Sequence, residues 1–214
     1  MNSTAKRRPP GRPRDDAHRT ALIDQTMRLL QTTPPSNLTR LEIARAAGVD
    51  PALIRYYFGD KYKLFAEVIA LIAAEIERLG SAALASTGTP KERLARLVRA
   101  NHDVHRRYPH YHQLILDQIT HGRPETVQRI RSEMSGRLRE GLLDLMRDGE
   151  RRGELRVVDP GHLAIAIIGM CEYFSSGWGP VAALLGESPE AERGASATAY
   201  GQFIEDLIVR SLAL

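Results

Sequence analysis

The chain has 214 residues, of which 43% are hydrophobic and 26% charged, and its formal net charge is +4. This composition is typical of a folded globular protein and excludes a long low-complexity chain. The single cysteine excludes an intramolecular disulfide and favours a reducing compartment. The most apolar run, residues 163–171, is too short to span a bilayer, and no apolar segment follows the basic N-terminus, so a cytoplasmic location is expected.

Positive charge is concentrated in the first part of the chain. Residues 1–63 carry twelve Lys or Arg and six Asp or Glu, whereas residues 64–214 carry eighteen and twenty. This asymmetry predicts a module that binds a polyanion, joined to a body that is close to neutral.

Residues 1–14 contain five basic residues and no acid, and three prolines and a glycine prevent a helix from propagating there. A flexible basic arm is therefore predicted. It is either a solubilising tail or an arm that reaches DNA. Residues 11–14, GRPR, resemble an AT-hook core, in which Arg12 and Arg14 would lie in the minor groove. The helical segments that follow favour DNA contact.

A first helix is predicted from about residue 15 to about residue 32. The next segment, residues 38–65, has the pattern of a helix-turn-helix. Thr39 and Glu42 have the spacing of a capping box at the start of its first helix. Gly48 ends this short helix and permits a tight turn.

The second half of this segment predicts another short helix and the start of a long one. Asp50 would cap the short helix, and Pro51 would take its first position, where a missing N–H group does no harm. This helix would end near Tyr57, and Asp60 would cap the long fourth helix. An ordinary helical hairpin is the alternative. However, a short helix that exposes Arg55 and two tyrosines buries little and must serve another purpose.

The same residues resemble the TetR/AcrR family of transcriptional regulators, over about residues 16–70. The family pattern combines an LT start, an IA-x-x-AGV turn, a short helix that ends in aromatic residues, and a Lys three positions after the closing Phe. This chain has Leu38-Thr39, Ile43-Ala44, Ala47-Gly48-Val49, Tyr56-Tyr57-Phe58, Lys61 and Leu64-Phe65. The resemblance identifies a family but says little about the effector.

The resemblance implies how the segment would contact an operator. Phosphates would be bound by Thr39 and Arg40, by Tyr57, which stands where the family commonly has His, and by Lys61. Arg55 replaces a frequent Tyr and is the candidate for bidentate reading of guanine. The predicted DNA-binding set is Arg12, Arg14, Thr39, Arg40, Pro51, Ala52, Leu53, Arg55, Tyr56, Tyr57 and Lys61.

Five more helices are predicted after a small-residue stretch at residues 80–90. The eighth, residues 160–176, is apolar on every face and must be covered on every side, and the ninth has a broad apolar stripe. These helices are either monomer core or half of a four-helix dimer interface, and the resemblance implies the interface. The predicted interface residues are Ile165, Ile168, Gly169, Phe203, Ile204, Leu207 and Ile208.

An effector pocket is expected between the fifth and eighth helices, beneath the fourth. The candidate lining residues, for each of which plain core packing is the alternative, are His105, Tyr111, Leu116, Met134, Leu138, Tyr173, Phe174 and Trp178. These side chains would suit a hydrophobic or amphipathic small molecule. Five histidines between residues 102 and 121 raise the question of a metal, but no Cys or HExxH pattern supports one, and no metal or other cofactor is expected.

Together these patterns predict an all-α protein of about nine helices. The expected organisation is a flexible basic arm (residues 1–14), a three-helix helix-turn-helix DNA-binding domain (15–62) and a helical effector-binding and dimerisation domain (63–214). The predicted function is a homodimeric repressor that a small molecule releases from a pseudo-palindromic double-stranded DNA operator, although activation is also open. Neither enzymatic activity nor a membrane partner is expected. The alternative is an all-α metal-binding or enzymatic bundle without sequence-specific DNA binding.

Overall fold

The computed structural model describes residues 13–122, 124–125, 127–128 and 137–214. Residues 1–12 of the predicted basic arm, the side chain of Arg14, and Met134 lie outside the described residues. The predicted end of the arm at residue 14 was wrong, because the first helix begins at Pro13, and a proline is tolerated in a first turn. Within those ranges the chain is all-α, as predicted, with one isolated bridge between Leu155 and Ala213. The α-helices are α1 (Pro13–Leu29), α2 (Arg40–Ala46), α3 (Ala52–Phe58), α4 (Lys61–Ala85), α5 (Pro90–Arg107), α6 (Tyr111–His121), α7 (Arg137–Arg151), α8 (Pro160–Ser176), α9 (Trp178–Leu185) and α10 (Gly194–Leu212).

Side-chain caps fix where several of these helices begin. Thr39 and Glu42 form the predicted capping box of α2, and Thr89 heads an equivalent box at α5. Asp60 accepts a hydrogen bond from the Lys63 N–H at 2.9 Å and caps α4. These bonds satisfy backbone donors that the first turn of a helix leaves without a partner.

The helix-turn-helix folds around a core that it shares with other elements. Helices α1 and α3 pack against α4, and α2 packs against α1 and α3. The fully buried side chains of this core include Leu22, Leu38, Ile43, Ile54, Leu64 and Phe65. The same cluster continues through Val104 at the end of α5 into Leu114 and Ile115 of α6. One apolar cluster therefore joins α1, α2 and α3 to α6.

A second core holds α5, α7, α8, α10 and the end of α4 together. Its fully buried members include Leu94, Leu97, Leu142 and Ile204. The Arg93 guanidinium ties three helices at one edge of this core. Its Nε donates to the Leu84 carbonyl at 2.7 Å, and its Nη1 lies 3.2 Å from the Asp148 carboxylate.

The described residues contain one helix more than the sequence predicts. Residues 177–180, Gly-Trp-Gly-Pro, predict a break, but the break is confined to Gly177, and α9 begins at Trp178. Pro180 lies in the first turn of α9, where a backbone N–H has no helical partner, so the ring disrupts nothing. None of the described helices is both long and apolar enough to cross a membrane.

Candidate functional site

The turn between α2 and α3 has the geometry that its sequence predicts. Gly48 has a φ of +66°, in the left-handed region that favours glycine. Its N–H donates to the Arg45 carbonyl at 3.1 Å, and the Val49 N–H donates to the Ala44 carbonyl at 3.0 Å. This closure fixes the angle at which α3 leaves α2.

Helix α3 turns one face to the core and the other to solvent. The Asp50 carboxylate accepts from the Ala52 N–H at 2.7 Å at its start. Ile54 and Phe58 are buried, whereas Arg55 is exposed and Tyr56 is 70% exposed. A helix with this division can be laid against another molecule without disturbing the core.

The predicted DNA-binding residues whose side chains the structure describes lie on α2, on α3, at the start of α4, or directly before α2 and α3. Those with exposed side chains are Thr39, Arg40, Pro51, Ala52, Arg55 and Tyr56. Leu53 and Tyr57 are half-buried and pack against the core. The Tyr56 and Tyr57 rings meet edge to face, with centroids 4.9 Å apart. Arg55 has no ion-pair partner within the described part of the chain, so its guanidinium is available to an outside acceptor.

Lys61 has an intramolecular role that the sequence did not predict. Its Nζ donates to the Leu38 carbonyl at 3.0 Å and lies 5.4 Å from the centroid of the Phe65 ring. Leu38 directly precedes Thr39, the N-cap of α2. The ammonium therefore ties the start of α4 to the start of α2, in addition to any contact with phosphate.

A cavity of about 380 Å³ lies among α4, α5, α6, α7 and α8. Three alanines of α4, two histidines, a tyrosine and two carboxylates lie in a lining that is otherwise largely aliphatic. The lining residues are Ala70, Ala73, Ala74, Ile76, Glu77, Gly80, Ser81, Leu84, Asn101, His105, Tyr111, His112, Ile115, Leu138, Ile168 and Glu172. An apolar cavity with a few polar groups is the usual form of a small-molecule site.

The structure brings some predicted pocket residues together and separates others. His105, Tyr111 and Leu138 line the cavity. The prediction was wrong for Leu116 and Tyr173, which are 48% and 54% exposed because they lie on the outer faces of α6 and α8.

The prediction was also wrong for Phe174 and Trp178, which lie outside the cavity lining. Both belong to a small apolar cluster with Val181 of α9. The Phe174 ring stacks on Tyr200 at a centroid distance of 4.4 Å. These aromatic side chains hold α8, α9 and α10 together.

The sequence analysis missed both cavity carboxylates, Glu77 and Glu172, and the alanines of α4. The signal for Glu172 is its position as the only Asp, Glu, Lys or Arg in the otherwise apolar α8. The signal for the alanines is their spacing: Ala70, Ala73 and Ala74 share a helical face, and small side chains leave room beside it.

The central histidines are used for packing and backbone contacts. His102 Nε2 lies 2.8 Å from the Ala197 carbonyl, and His105 Nδ1 lies 2.8 Å from the Asn101 carbonyl. Burial lowers the pKa of both side chains because it penalises the imidazolium form. Among the described residues no three His, Cys, Asp or Glu side chains are grouped in a way that could hold a metal ion.

The three faces of helix α8 have different surroundings. Leu163, Ile167 and Cys171 face the monomer core, and Ile168 and Glu172 line the cavity. The third face is exposed, with Ile165 at 70% exposure and Gly169 and Tyr173 on the same side. Within the single chain, α8 is therefore not covered on every side.

Helix α10 also exposes apolar side chains, Phe203 and Leu207, which are 59% and 46% exposed. The predicted interface residues Ile204 and Ile208 are instead buried in the monomer core. Their assignment to the interface was wrong, because the apolar stripe of α10 is wide enough to serve two surfaces.

Helix α6 connects the cavity to the helix-turn-helix. Tyr111 and Ile115 line the cavity, and Gln118, on the same helix, donates from Nε2 to the Tyr62 carbonyl of α4 at 3.0 Å. The His121 ring stacks on the Tyr62 ring at a centroid distance of 5.9 Å. One end of α6 thus borders the cavity, and the other end contacts Tyr62, which directly follows Lys61 in α4.

This geometry defines a class of protein: an all-α helix-turn-helix protein whose body carries a cavity suited to a small molecule. Two family models match the chain in order. The model described as "Bacterial regulatory proteins, tetR family" matches residues 22–68, and the one described as "Tetracyclin repressor-like, C-terminal domain" matches residues 87–178. The chain belongs to the TetR/AcrR family of transcriptional regulators.

Individual relatives agree with this assignment. The chain is 34% identical over 87 residues to the HTH-type transcriptional regulator BetI of Rhizobium meliloti, a match that covers 41% of this chain and 43% of that protein. The match thus covers less than half of the relative's length.

Solved structures share the fold over nearly the whole chain. A transcriptional regulator from Saccharomonospora viridis in complex with choline has a TM-score of 0.71 at 21% identity and covers 93% of this chain and 99% of its own. AibR, in complex with isovaleryl coenzyme A and operator DNA, has a TM-score of 0.67 at 18% identity and covers 89% and 97%.

Proposed function

We propose that this protein is a homodimeric transcriptional repressor that leaves its operator when a small molecule occupies the cavity. The observation that carries the proposal is the continuity of α6, which borders the cavity at Tyr111 and bonds the backbone of α4 through Gln118. A ligand that displaces α6 would thereby move the start of α4 and the α2 N-terminus that Lys61 holds. By linkage, operator and ligand would weaken each other's binding by the same factor.

The exposed edge of α2 and α3 supports the DNA-binding part of the proposal. Arg40 and Thr39 would contact phosphate beside the α2 N-terminus, where the helix dipole favours an anion. Arg55 would read a base, and Pro51 and Ala52 would pack against base edges. With so few polar groups on this edge, specificity would rest on few hydrogen bonds and on DNA shape. A protein that acts on an operator works beside the genome, so the proposal includes a cytoplasmic location.

The exposed apolar surface of α8 and α10 supports the homodimer. We define it as the α8–α10 surface, formed by Ile165, Gly169, Tyr173, Phe203 and Leu207. Large apolar side chains exposed in this number on two packed helices are expected to be covered by a partner. A second copy would supply the same surface, and two-fold symmetry would place two α3 helices on one side, where a pseudo-palindromic operator spaces its half-sites by roughly 34–36 Å.

The relatives leave the chemical class of ligand open. One structural neighbour holds choline, a cation, and another holds an acyl coenzyme A, which is anionic. The cavity of this chain must therefore be judged by its own side chains.

Binding to DNA from upstream of the protein's own gene tests the proposal. Fluorescence anisotropy would be measured at a low and a high salt concentration, with a shuffled duplex of equal length as control. Selective binding that falls steeply with salt is expected, since phosphate contacts release counterions. Equal affinity for both duplexes, or binding that does not respond to salt, would refute sequence-specific regulation.

A further inference from the structure

His105 brings a hydrogen-bond acceptor to the cavity. His105 is 7% exposed, and its Nδ1 lies 2.8 Å from the Asn101 carbonyl. A carbonyl oxygen only accepts, so Nδ1 must carry the proton of the neutral ring, and Nε2 is left with a lone pair. In the described part of the chain Nε2 has no hydrogen-bond partner, although the side chain lines the cavity.

Burial keeps this acceptor uncharged. The pKa of His105 is lowered by desolvation, while the negative charge of Glu172 acts in the opposite direction. Both His105 and Glu172 line the same cavity, so both are available to one ligand. Glu172 is half-buried, and its Oε1 accepts from the Ser176 hydroxyl at 2.8 Å.

The charge of the lining is negative. Glu77 and Glu172 bring two carboxylates to the cavity, and no Lys or Arg belongs to the lining that the structure describes. No described Lys or Arg forms an ion pair with Glu172 either. A carboxylate at an apolar cavity without a cation beside it favours a positively charged occupant, because the low local polarity strengthens the attraction.

We infer that the cavity selects a small organic cation: a protonated amine carried on an apolar body. The ammonium group binds beside Glu172 and donates one N–H to His105 Nε2. The apolar body lies along the alanine face of α4 and against Ile115 and Leu138. This inference rests on the proposed function, since it names the ligand class of the same cavity.

Calorimetric titration of the full chain with three probes tests the inference. The probes are n-heptylamine, n-heptanol and hexanoate, which have equal numbers of non-hydrogen atoms and differ in charge. Heptylamine is protonated near neutral pH, as a lysine side chain is. We expect heptylamine to bind at least tenfold more tightly than the other two. Equal or tighter binding of hexanoate or heptanol would overturn the inference, and so would the absence of heptylamine binding at low millimolar concentration.

Isosteric variants separate charge from shape. Glu172→Gln keeps the volume and an oxygen acceptor for Ser176, and we expect heptylamine affinity to fall about tenfold or more while heptanol affinity stays the same. Glu140→Gln, an exposed residue outside the cavity lining, is the matched control and should change neither. An unchanged heptylamine affinity in Glu172→Gln refutes the charge assignment.

Operator binding by the ligand-free variants reports on the proposed function separately. The control variant Glu140→Gln, which lies outside the cavity lining, should bind operator as the unmodified chain does. If the unmodified chain binds heptylamine selectively but binds no operator, the ligand inference stands and the proposed function fails.

Discussion

The side-chain amide of Gln118 donates to the backbone carbonyl of Tyr62 at 3.0 Å. Gln118 is 1% exposed, and the bond crosses from α6 to the first turn of α4. It is a direct polar link between a helix that borders the cavity and the helix that Lys61 ties to α2. Two sites are coupled only if a shared element responds to both, and in the proposed function α6 and α4 are that pair of elements.

We predict that Gln118→Leu weakens this coupling. Leu fills a similar volume but cannot bond the Tyr62 carbonyl, at a cost of about 1–3 kcal/mol of stability for the unpaired group. Heptylamine should still bind, but it should reduce operator affinity less than it does in the unmodified chain. Anisotropy titrations with and without heptylamine measure this ratio.

A matched substitution on α6 controls for general damage. Thr120 is exposed, and its hydroxyl bonds only the Leu116 carbonyl one turn earlier. Thr120→Val should leave the ratio unchanged. If Gln118→Leu retains the full ligand response, the bond carries no coupling.

Lys61 is predicted to affect both folding and DNA binding. Lys61→Met removes the bond to the Leu38 carbonyl, and about 1 kcal/mol of stability should be lost, which for a chain of this size lowers the Tm by about 2–4 °C. Lys63, two residues later, is exposed and provides the comparison. Lys63→Met should leave the Tm unchanged. Thermal unfolding distinguishes the two variants, and an equal Tm in both would exclude the structural role of Lys61.

Arg55 and Arg40 are predicted to change operator binding in different ways. Arg55→Ala should relax the preference at one base position, at a cost of about 1–3 kcal/mol for the preferred base. Arg40→Ala should weaken all duplexes alike and reduce the salt dependence by about one counterion. Competition with a set of single-base operator variants measures both effects. If Arg55→Ala weakens binding to all duplexes equally, the Arg55 side chain contacts phosphate and does not read a base.

The buried histidines predict how stability depends on pH. Burial holds the pKa of His102 below its ordinary value of about 6.5. As the pH falls, the unfolded chain therefore binds a proton more readily than the folded chain does. The free energy of unfolding should therefore be highest at pH values above the ordinary pKa of histidine and should decrease as the pH falls below it. Urea unfolding near neutral pH and in mild acid measures the decline. His102→Gln should reduce it, whereas exposed His162→Gln should not; equal declines in all three proteins would contradict the assignment.

Local signals in the sequence predicted the helix-turn-helix well. The capping box of Thr39 and Glu42, the positive φ of Gly48 and the cap by Asp60 each depend on residues a few positions apart. Such signals act through backbone geometry that the residue types themselves determine. The sequence did not predict α9, because the Gly-Trp-Gly-Pro pattern does not show that Pro180 falls in the first turn of a helix, where proline is tolerated.

Contacts between distant segments were not predictable in the same way. Glu77 and Glu172 meet at the cavity only because α4 and α8 pack on either side of it. On α10, the stripe that contains Ile204 and Phe203 is apolar throughout, so its pattern could not tell which residues face the core. The rotation of a helix about its own axis is decided by packing, and no periodicity within the helix determines it.

The final prediction concerns the α8–α10 surface. Ile165 and Phe203 are exposed in the single chain, so Ile165→Glu and Phe203→Glu should leave the monomer folded. In a homodimer each would bury a carboxylate without a cationic partner, which is strongly unfavourable, and the symmetry doubles the effect. Sedimentation equilibrium should show monomers, and operator affinity should fall because two half-sites are no longer bound together. Leu116→Glu, at a leucine on α6 that is 48% exposed, is the control and should leave the dimer intact. Dimers that persist in both the Ile165 and Phe203 variants would place the interface elsewhere.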